Sequence, residues 1–374
     1  MIKLKQALDE LRRLGRLRSL TFGSGVDFTS NDYLRMSSHP ALRQAAIQAL
    51  RTEMPLGSGG SRLLRGHRSE HDDLEILGRR FFHAPASLFF STGFQANYAV
   101  FSTLPERHDL VIYDSLIHAS VREGLRACPA RSVKFSHNDI SALTEILRNE
   151  GSKAENIWIA VESLYSMDGD RAPLEAIYEL ARQYNAFLVV DEAHATGIYG
   201  DGGRGLCWPL IQKHGYLNLI TLHTCGKALG VAGGLICGPE VIIASLINRS
   251  RAFIYSTAPM PVQALLVRKS LEILGSAEGD ARRARLFSIC QYAQKYLGGP
   301  GTPIVPVIIG DDVKAVEVAT MLQREGFDIR AIRPPTVPEG TARLRISLSC
   351  DTERAAIDRI AALLSPYIKR DVAA

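Results

Sequence analysis

Seven short apolar runs between residues 86 and 240 constrain the fold of this chain more than any other feature: ASLFFST, LVIYD, SVKFS, NIWIAVES, AFLVVDE, LITLHT and AGGLICG. Helical patterns follow the first four in turn, as GFQANYAVFSTL, ASVREGLRAC, DISALTEILRNE and PLEAIYELARQY. Strands this apolar leave no face for water, and strands joined through helices pair in parallel. The pattern therefore predicts an α/β core, a large domain with a mainly parallel sheet flanked by helices.

The chain has 374 residues, 46% of them hydrophobic, enough for that core and a smaller companion domain. We expect an N-terminal helical segment over 1–50, a large domain over 51–275 and a small α+β C-terminal domain over 276–374. The acidic, Gly-containing GSAEGD at 275–280 marks the second boundary and precedes a long basic helix, DARRARLFSICQYAQKYL. The remaining order is a strand (IVPVIIG), a helix (VKAVEVATMLQREG), two strands (DIRAIRPP and ARLRISLS) and a closing helix (ERAAIDRIAALLSPYI).

Charge narrows the partners. Forty-four basic against 39 acidic side chains give +5, a weak field for gripping nucleic acid over a chain of this size. At the N-terminus, Leu4, Leu8, Leu11 and Leu14 fall at helical spacing among Arg12, Arg13, Asp9 and Glu10, unlike a signal peptide. No run approaches the roughly 18 apolar residues of a membrane span. Cys128, Cys207, Cys225, Cys237, Cys290 and Cys350 form no CxxC pair or metal-finger spacing, so a reducing, cytoplasmic setting and no structural zinc are expected.

Five features fall after predicted strands, where open α/β sheets place ligands. In VVDEAH a strand delivers Asp191, with His194 three residues on. A carboxylate there either caps the next helix or holds a ring nitrogen protonated. In LHTCGKALG, Lys227 sits between Gly226 and Gly230, where a close-approaching loop can offer its amine to an aldehyde. STGFQAN runs from a strand into a helix, so the N–H groups of Gly93 and Phe94 make an ordinary turn or a phosphate cradle. In DSLIHAS, His118 is an ordinary surface or core histidine or stacks on a flat cofactor. In ESLYSMDGD, Glu162, Ser166 and Asp168 form a plain turn or frame a cofactor or substrate. GSGGSRLLRG at 57–66 is no dinucleotide loop, since no strand precedes it; it reads as an entrance loop or a bridge to a partner subunit.

In order along the chain, SNDYL, GSGGSRL, STGFQAN, HAS, SMDGD, VDEAHATG, GKALG and YSTAPMP resemble the α-oxoamine synthases, fold-type I pyridoxal-phosphate transferases. The likeness covers nearly the whole chain. IRPPTVPEGTARLRIS, at 332–347, resembles the branch that joins L-alanine to a pimeloyl thioester in biotin synthesis. The resemblance implies pyridoxal 5'-phosphate as cofactor, Lys227 as its Schiff-base lysine, Asp191 as partner of the pyridine nitrogen and His118 stacked on the ring. His194 and Ser166 would contact the phenolic oxygen and its surroundings. Thr224 would bind phosphate beside Gly93 and Phe94, with Thr257 reaching the phosphate of the neighbouring subunit in a homodimer with shared sites. Arg345 would grip the amino acid carboxylate as a bidentate fork, with Arg18, Asn31, His118 and Thr336 near the substrate.

Two departures stand out: a short stretch between Arg18 and Asp27, and His67 and Arg68 where smaller residues are usual. The thioester carrier, coenzyme A or an acyl-carrier protein, stays open; a basic surface at Arg62, Arg65 and Arg68 would suit either. The alternatives are a sister synthase using glycine with acetyl- or succinyl-coenzyme A, an aminotransferase, and a catalytically silent binding subunit.

Overall fold

The computed structural model describes residues 1–368. Its strands, in chain order, are β1 (Val26–Asp27), β2 (Ala86–Phe90), β3 (Leu110–Asp114), β4 (Arg131–Phe135), β5 (Ile157–Glu162), β6 (Phe187–Asp191), β7 (Leu219–Thr224), β8 (Gly234–Gly238), β9 (Ile304–Gly310), β10 (Phe327–Asp328), β11 (Ala331–Ile332) and β12 (Ala342–Ser347). Two compact units emerge. One comprises Leu34–Tyr165 and Arg171–Arg282; the other Met1–Tyr33, Ser166–Asp170 and the chain from Arg283 onward. The division thus runs inside the helix Ala277–Leu297.

The larger unit holds a seven-stranded sheet in the order β2-β8-β7-β6-β5-β3-β4. The pairs from β4 through to β7 are parallel, as the helix-separated apolar runs require; β8 alone is inserted antiparallel to both neighbours. Strands β5 and β7 are buried at every position, and β6 at all but its first residue. Helix Gly93–Thr103 contributes Ala96, Val100 and Phe101 to the core, where they join Val111, Trp158, Val189, Ile220 and Ile236 of the sheet. Burying a side chain such as Phe101 or Val189 is worth roughly 1.5–3 kcal/mol, so the sheet's apolar pattern dominates the stability of this layer.

Register sets the functional edge. Asp191 pairs across the sheet with Glu162 on one side and Leu222 on the other. Three carboxyl-terminal strand ends therefore lie about 5 Å apart. Behind them, His223 carries no exposed surface of consequence. Its Nδ1 meets Thr196 Oγ1 and its Nε2 meets Thr221 Oγ1, each at 2.8 Å, and its ring stacks on Phe82 with centroids 3.6 Å apart. These contacts pin the end of β7 one residue before Thr224.

The smaller unit gathers distant segments. Strands β11, β12 and β9 form an antiparallel sheet, and β1 pairs in parallel with β10. The expected single strand DIRAIRPP is instead two short strands on different sheets. Buried strand β12 points Arg343 and Arg345 to one face, where they hold the 166–170 segment: Arg343 pairs with Asp168, and Arg345 Nε donates 2.6 Å to Ser166 O. Thr302 Oγ1 adds a 2.8 Å bond to Gly169 O. The 28–33 segment is fixed by Ser347 N–H to Phe28 O and Cys350 N–H to Tyr33 O, both 2.8 Å. Among the described residues, no helix is long and apolar enough to cross a membrane.

Burial lowers the His223 pKa to about 3, whereas an unfolded imidazole titrates near 6.5. The unfolded chain therefore takes up a proton that the folded one refuses. The His223 contribution is complete above about pH 6.5 and is lost progressively toward pH 3, the loss amounting to about 3 kcal/mol at pH 4. His223→Gln should flatten the fall of the thermal denaturation midpoint between pH 7 and 4. An unchanged slope would show that the acid sensitivity lies elsewhere.

Candidate active site

Five elements of the larger unit, two helices and the strands β5, β6 and β7, deliver one cavity of about 160 Å³, lined by Gly93, Phe94, Asn97, His118, Ser120, Glu162, Asp191, Ala193, Leu222, Thr224 and Lys227. A volume near 150 Å³ takes one aromatic ring. Lys227 lies three residues beyond β7, and its Nζ meets His194 Nε2 at 2.7 Å. Asp191 ends β6, almost fully buried; Oδ2 accepts from Asn97 Nδ2 at 2.6 Å and Oδ1 from the Ala193 N–H at 2.9 Å. Bonds of this charge-assisted kind are worth about 1.5–3 kcal/mol each, so the carboxylate has one fixed orientation.

A polar chain links Asp191 to His118. Asn97 Nδ2 donates 3.0 Å to Ser120 Oγ, which lies 2.7 Å from His118 Nδ1. His118 also caps the helix Ala119–Arg126, its Nδ1 accepting the Ser120 N–H at 3.2 Å. A ring nitrogen that accepts carries no proton, so the neutral ring bears its hydrogen on Nε2. Electrostatics agree: burial first, then the Lys227 and Arg122 charges, hold His118 below the ordinary imidazole range against the opposing pull of Asp191.

At the other end of the cavity, Thr92 caps the helix Gly93–Thr103 by accepting the Gln95 N–H. The first N–H groups, those of Gly93 and Phe94, have no place in the helix ladder and face an anion naturally. Thr224 packs against Gly93 so closely that a Cβ there would lie 2.8 Å from Thr224 Oγ1. An amine, a buried carboxylate, a neutral imidazole and a hydroxyl beside a helix start are the donor set that pyridoxal phosphate uses. These residues fit it.

The other expected residues lie elsewhere. Ser166 belongs to the smaller unit, with its carbonyl held by Arg345. Thr257 is exposed and does not line the cavity. Its segment is tied to the 57–71 loop: Ala258 N–H donates to Gly60 O at 2.9 Å, and Ser58 and His71 bond Pro259 O. Arg62 is no surface cation. It is buried in a two-bond fork to Glu75, both 2.9 Å, with Nε on His67 Nδ1 at 2.9 Å. Asp168 is engaged by Arg343.

In the smaller unit, Arg18 Nη2 donates 3.2 Å to Thr336 Oγ1, joining two expected substrate residues 318 positions apart. Arg345 is 7% exposed, and its partners are all neutral oxygens: Ser166 O, Ser347 Oγ, Asn31 Oδ1 and Tyr33 OH. Among the described residues none of these partners is a carboxylate, so the buried charge is not offset by an ion pair. Asn97, Ser120, Tyr33 and Ser347 lie inside the quoted motifs, but the sequence assigns them no role.

Comparison with known proteins identifies the family. A family model described as aminotransferase class I and II matches residues 24–364. The chain is 39% identical to the 8-amino-7-oxononanoate synthase of Chromobacterium violaceum, covering 96% of this chain and 95% of that one. It is 40% identical to that of Herminiimonas arsenicoxydans, covering 91% and 89%. Among solved structures, 8-amino-7-oxononanoate synthase from Francisella tularensis superposes with a TM-score of 0.79 at 29% identity, covering 92% and 98%. Serine palmitoyltransferase from S. paucimobilis, solved with bound PLP, gives 0.87 at 25% identity, covering 98% and 96%.

The Gly93–Thr224 contact yields a direct test. In Gly93→Ala the new methyl must push Thr224 aside, at about 1–3 kcal/mol for overpacking. Cofactor affinity, read as pyridoxal phosphate retained per chain on dialysis, should fall tenfold or more while the far-ultraviolet spectrum stays unchanged. Full retention would remove this corner from phosphate binding.

Proposed function

This chain belongs to the aminotransferase class I and II family and, within it, to the 8-amino-7-oxononanoate synthases; from that membership we propose that it joins L-alanine to a pimeloyl thioester through the residues assembled above. It is a pyridoxal-phosphate-dependent acyltransferase of biotin synthesis. In the net reaction the bond from the alanine α-carbon to its carboxylate breaks and carbon dioxide leaves. A bond forms from that carbon to the acyl carbon, and the thiol departs with a proton, giving 8-amino-7-oxononanoate.

Pyridoxal phosphate supplies an aldehyde that captures amines and a ring that takes up the electron pair left on the α-carbon. The chain's own groups do the rest. Lys227 Nζ holds the cofactor and, once freed by the incoming amino acid, removes and returns protons at the α-carbon. His194, 2.7 Å away, orients that amine. Asp191 keeps a proton on the pyridine nitrogen, with its orientation fixed by Asn97 and Ala193. His118, neutral and buried, offers a flat face without adding positive charge. Gly93, Phe94 and Thr224 take the phosphate. Arg345 takes the alanine carboxylate, and Arg18 and Thr336 lie along the substrate.

The observation that carries this reading is that Lys227 and Asp191, 36 positions apart, line one cavity together with His118, Gly93, Phe94 and Thr224. Thr257 we assign to the phosphate of a partner protomer in a homodimer, which accords with its exposure on an anchored segment. Six free cysteines suit the cytoplasm.

Holoenzyme given L-alanine with pimeloyl-coenzyme A, and separately with pimeloyl-acyl-carrier protein, should release carbon dioxide and form the amino ketone with at least one carrier. Preference for glycine with acetyl- or succinyl-coenzyme A would move the chain to a sister activity. Lys227→Ala should lose at least the roughly 10²- to 10⁴-fold that positioned proton transfer contributes. Wild-type turnover in that variant would end the assignment.

A further inference from the structure

We propose that Tyr33 is a positioning residue that makes Arg345 and Asn31 receive the amino acid carboxylate as a pair of single donors, one from each side chain. The inference rests on the reading that Arg345 binds that carboxylate, and follows from counting donors. A guanidinium has five N–H groups, arranged as two edges that can each present a parallel pair to a carboxylate. Here Nε donates to Ser166 O at 2.6 Å, Nη1 to Ser347 Oγ at 2.7 Å, and Nη2 to both Asn31 Oδ1 at 2.9 Å and Tyr33 OH at 3.2 Å. Each edge is interrupted. Among the described residues one N–H, on Nη1, has no protein acceptor, so Arg345 offers a single hydrogen bond and not the fork expected from its type.

Tyr33 closes this arrangement. Its hydroxyl accepts from Arg345 Nη2 and donates 3.0 Å to Asn31 Oδ1, completing a triangle of three side chains. The Asn31 oxygen then faces two donors, which fixes the amide orientation without ambiguity, because a guanidinium can only donate. Asn31 Nδ2 is left with two N–H groups at a half-buried position. The ring of Tyr33 is fully buried, and its backbone carbonyl is bonded to the Cys350 N–H just beyond β12, so the hydroxyl has little freedom to move. With Nη2 saturated by the triangle, a carboxylate meets Arg345 through one oxygen, and Asn31 Nδ2 is the donor set for the other.

The test is equilibrium binding of L-alanine to the holoenzyme without thioester, followed by calorimetry, so that no turnover enters. Tyr33→Phe removes only the hydroxyl and should weaken alanine three- to tenfold, the range of one net hydrogen bond, with the Michaelis constant for the thioester unchanged. Asn31→Asp keeps an acceptor for Arg345 and Tyr33 but replaces the donor with a negative charge. It should weaken alanine by more than Tyr33→Phe does, yet leave L-alaninamide, which has no carboxylate, unaffected.

Alanine affinity unchanged in Tyr33→Phe, or lost together with thioester affinity and thermal stability, overturns the positioning role. If Tyr33→Phe does not fold, equal losses for alanine and alaninamide in Asn31→Asp overturn it instead. Arg345→Ala should weaken alanine more than either variant; untouched affinity there sinks the carboxylate reading itself, a result distinguishable from failure of Tyr33 alone.

Discussion

The parallel register of β5, β6 and β7 is the constraint on which the rest of the larger unit depends. It sets Glu162, Asp191 and Leu222 side by side at the same edge, and the loop after β7 then needs only three residues to present Lys227. A slip of one residue would turn Asp191 to the opposite face. The burial of nearly all flanking apolar side chains makes such a slip costly. Helices that begin at Gly93 and Ala119 are anchored to that edge, one contributing backbone donors and the other the imidazole at its cap. The geometry of the cavity lining is thus a by-product of core packing, and the His223 contacts reinforce it from behind.

The order of elements and the functional edge were legible because they are local signals: apolar runs of strand length, glycines at turns, and polar residues immediately after them. Asp191, His118 and Lys227 could be read in this way. Their supporting shell could not. Asn97 and Ser120 reach Asp191 and His118 only once the helices starting at Gly93 and Ala119 pack side by side, a tertiary fact with no sequence period. Arg62 was misjudged for the same reason. A lone arginine in a glycine-rich loop reads as surface charge until Glu75, thirteen residues on, neutralises it in the interior.

The smaller unit was the least legible part because it assembles from three separated stretches. Its strand pattern was visible in ARLRIS, yet the partners of Arg343 and Arg345 come from residues 166–168 and 31–33. The single strand expected over DIRAIRPP gave way to two short ones because each half pairs with a different sheet.

These two arginines show how one strand serves two purposes. Arg343 meets a carboxylate, Asp168, and its charge is balanced within the protein; removing Asp168 would leave the buried guanidinium unpaired. Arg345 is nearly as buried but is solvated only by neutral oxygens, which offset its desolvation incompletely. A chain selected for stability alone would place an acid there. Leaving the acid out leaves the Arg345 charge uncompensated inside the fold, and under the proposed function the substrate carboxylate would supply the missing charge.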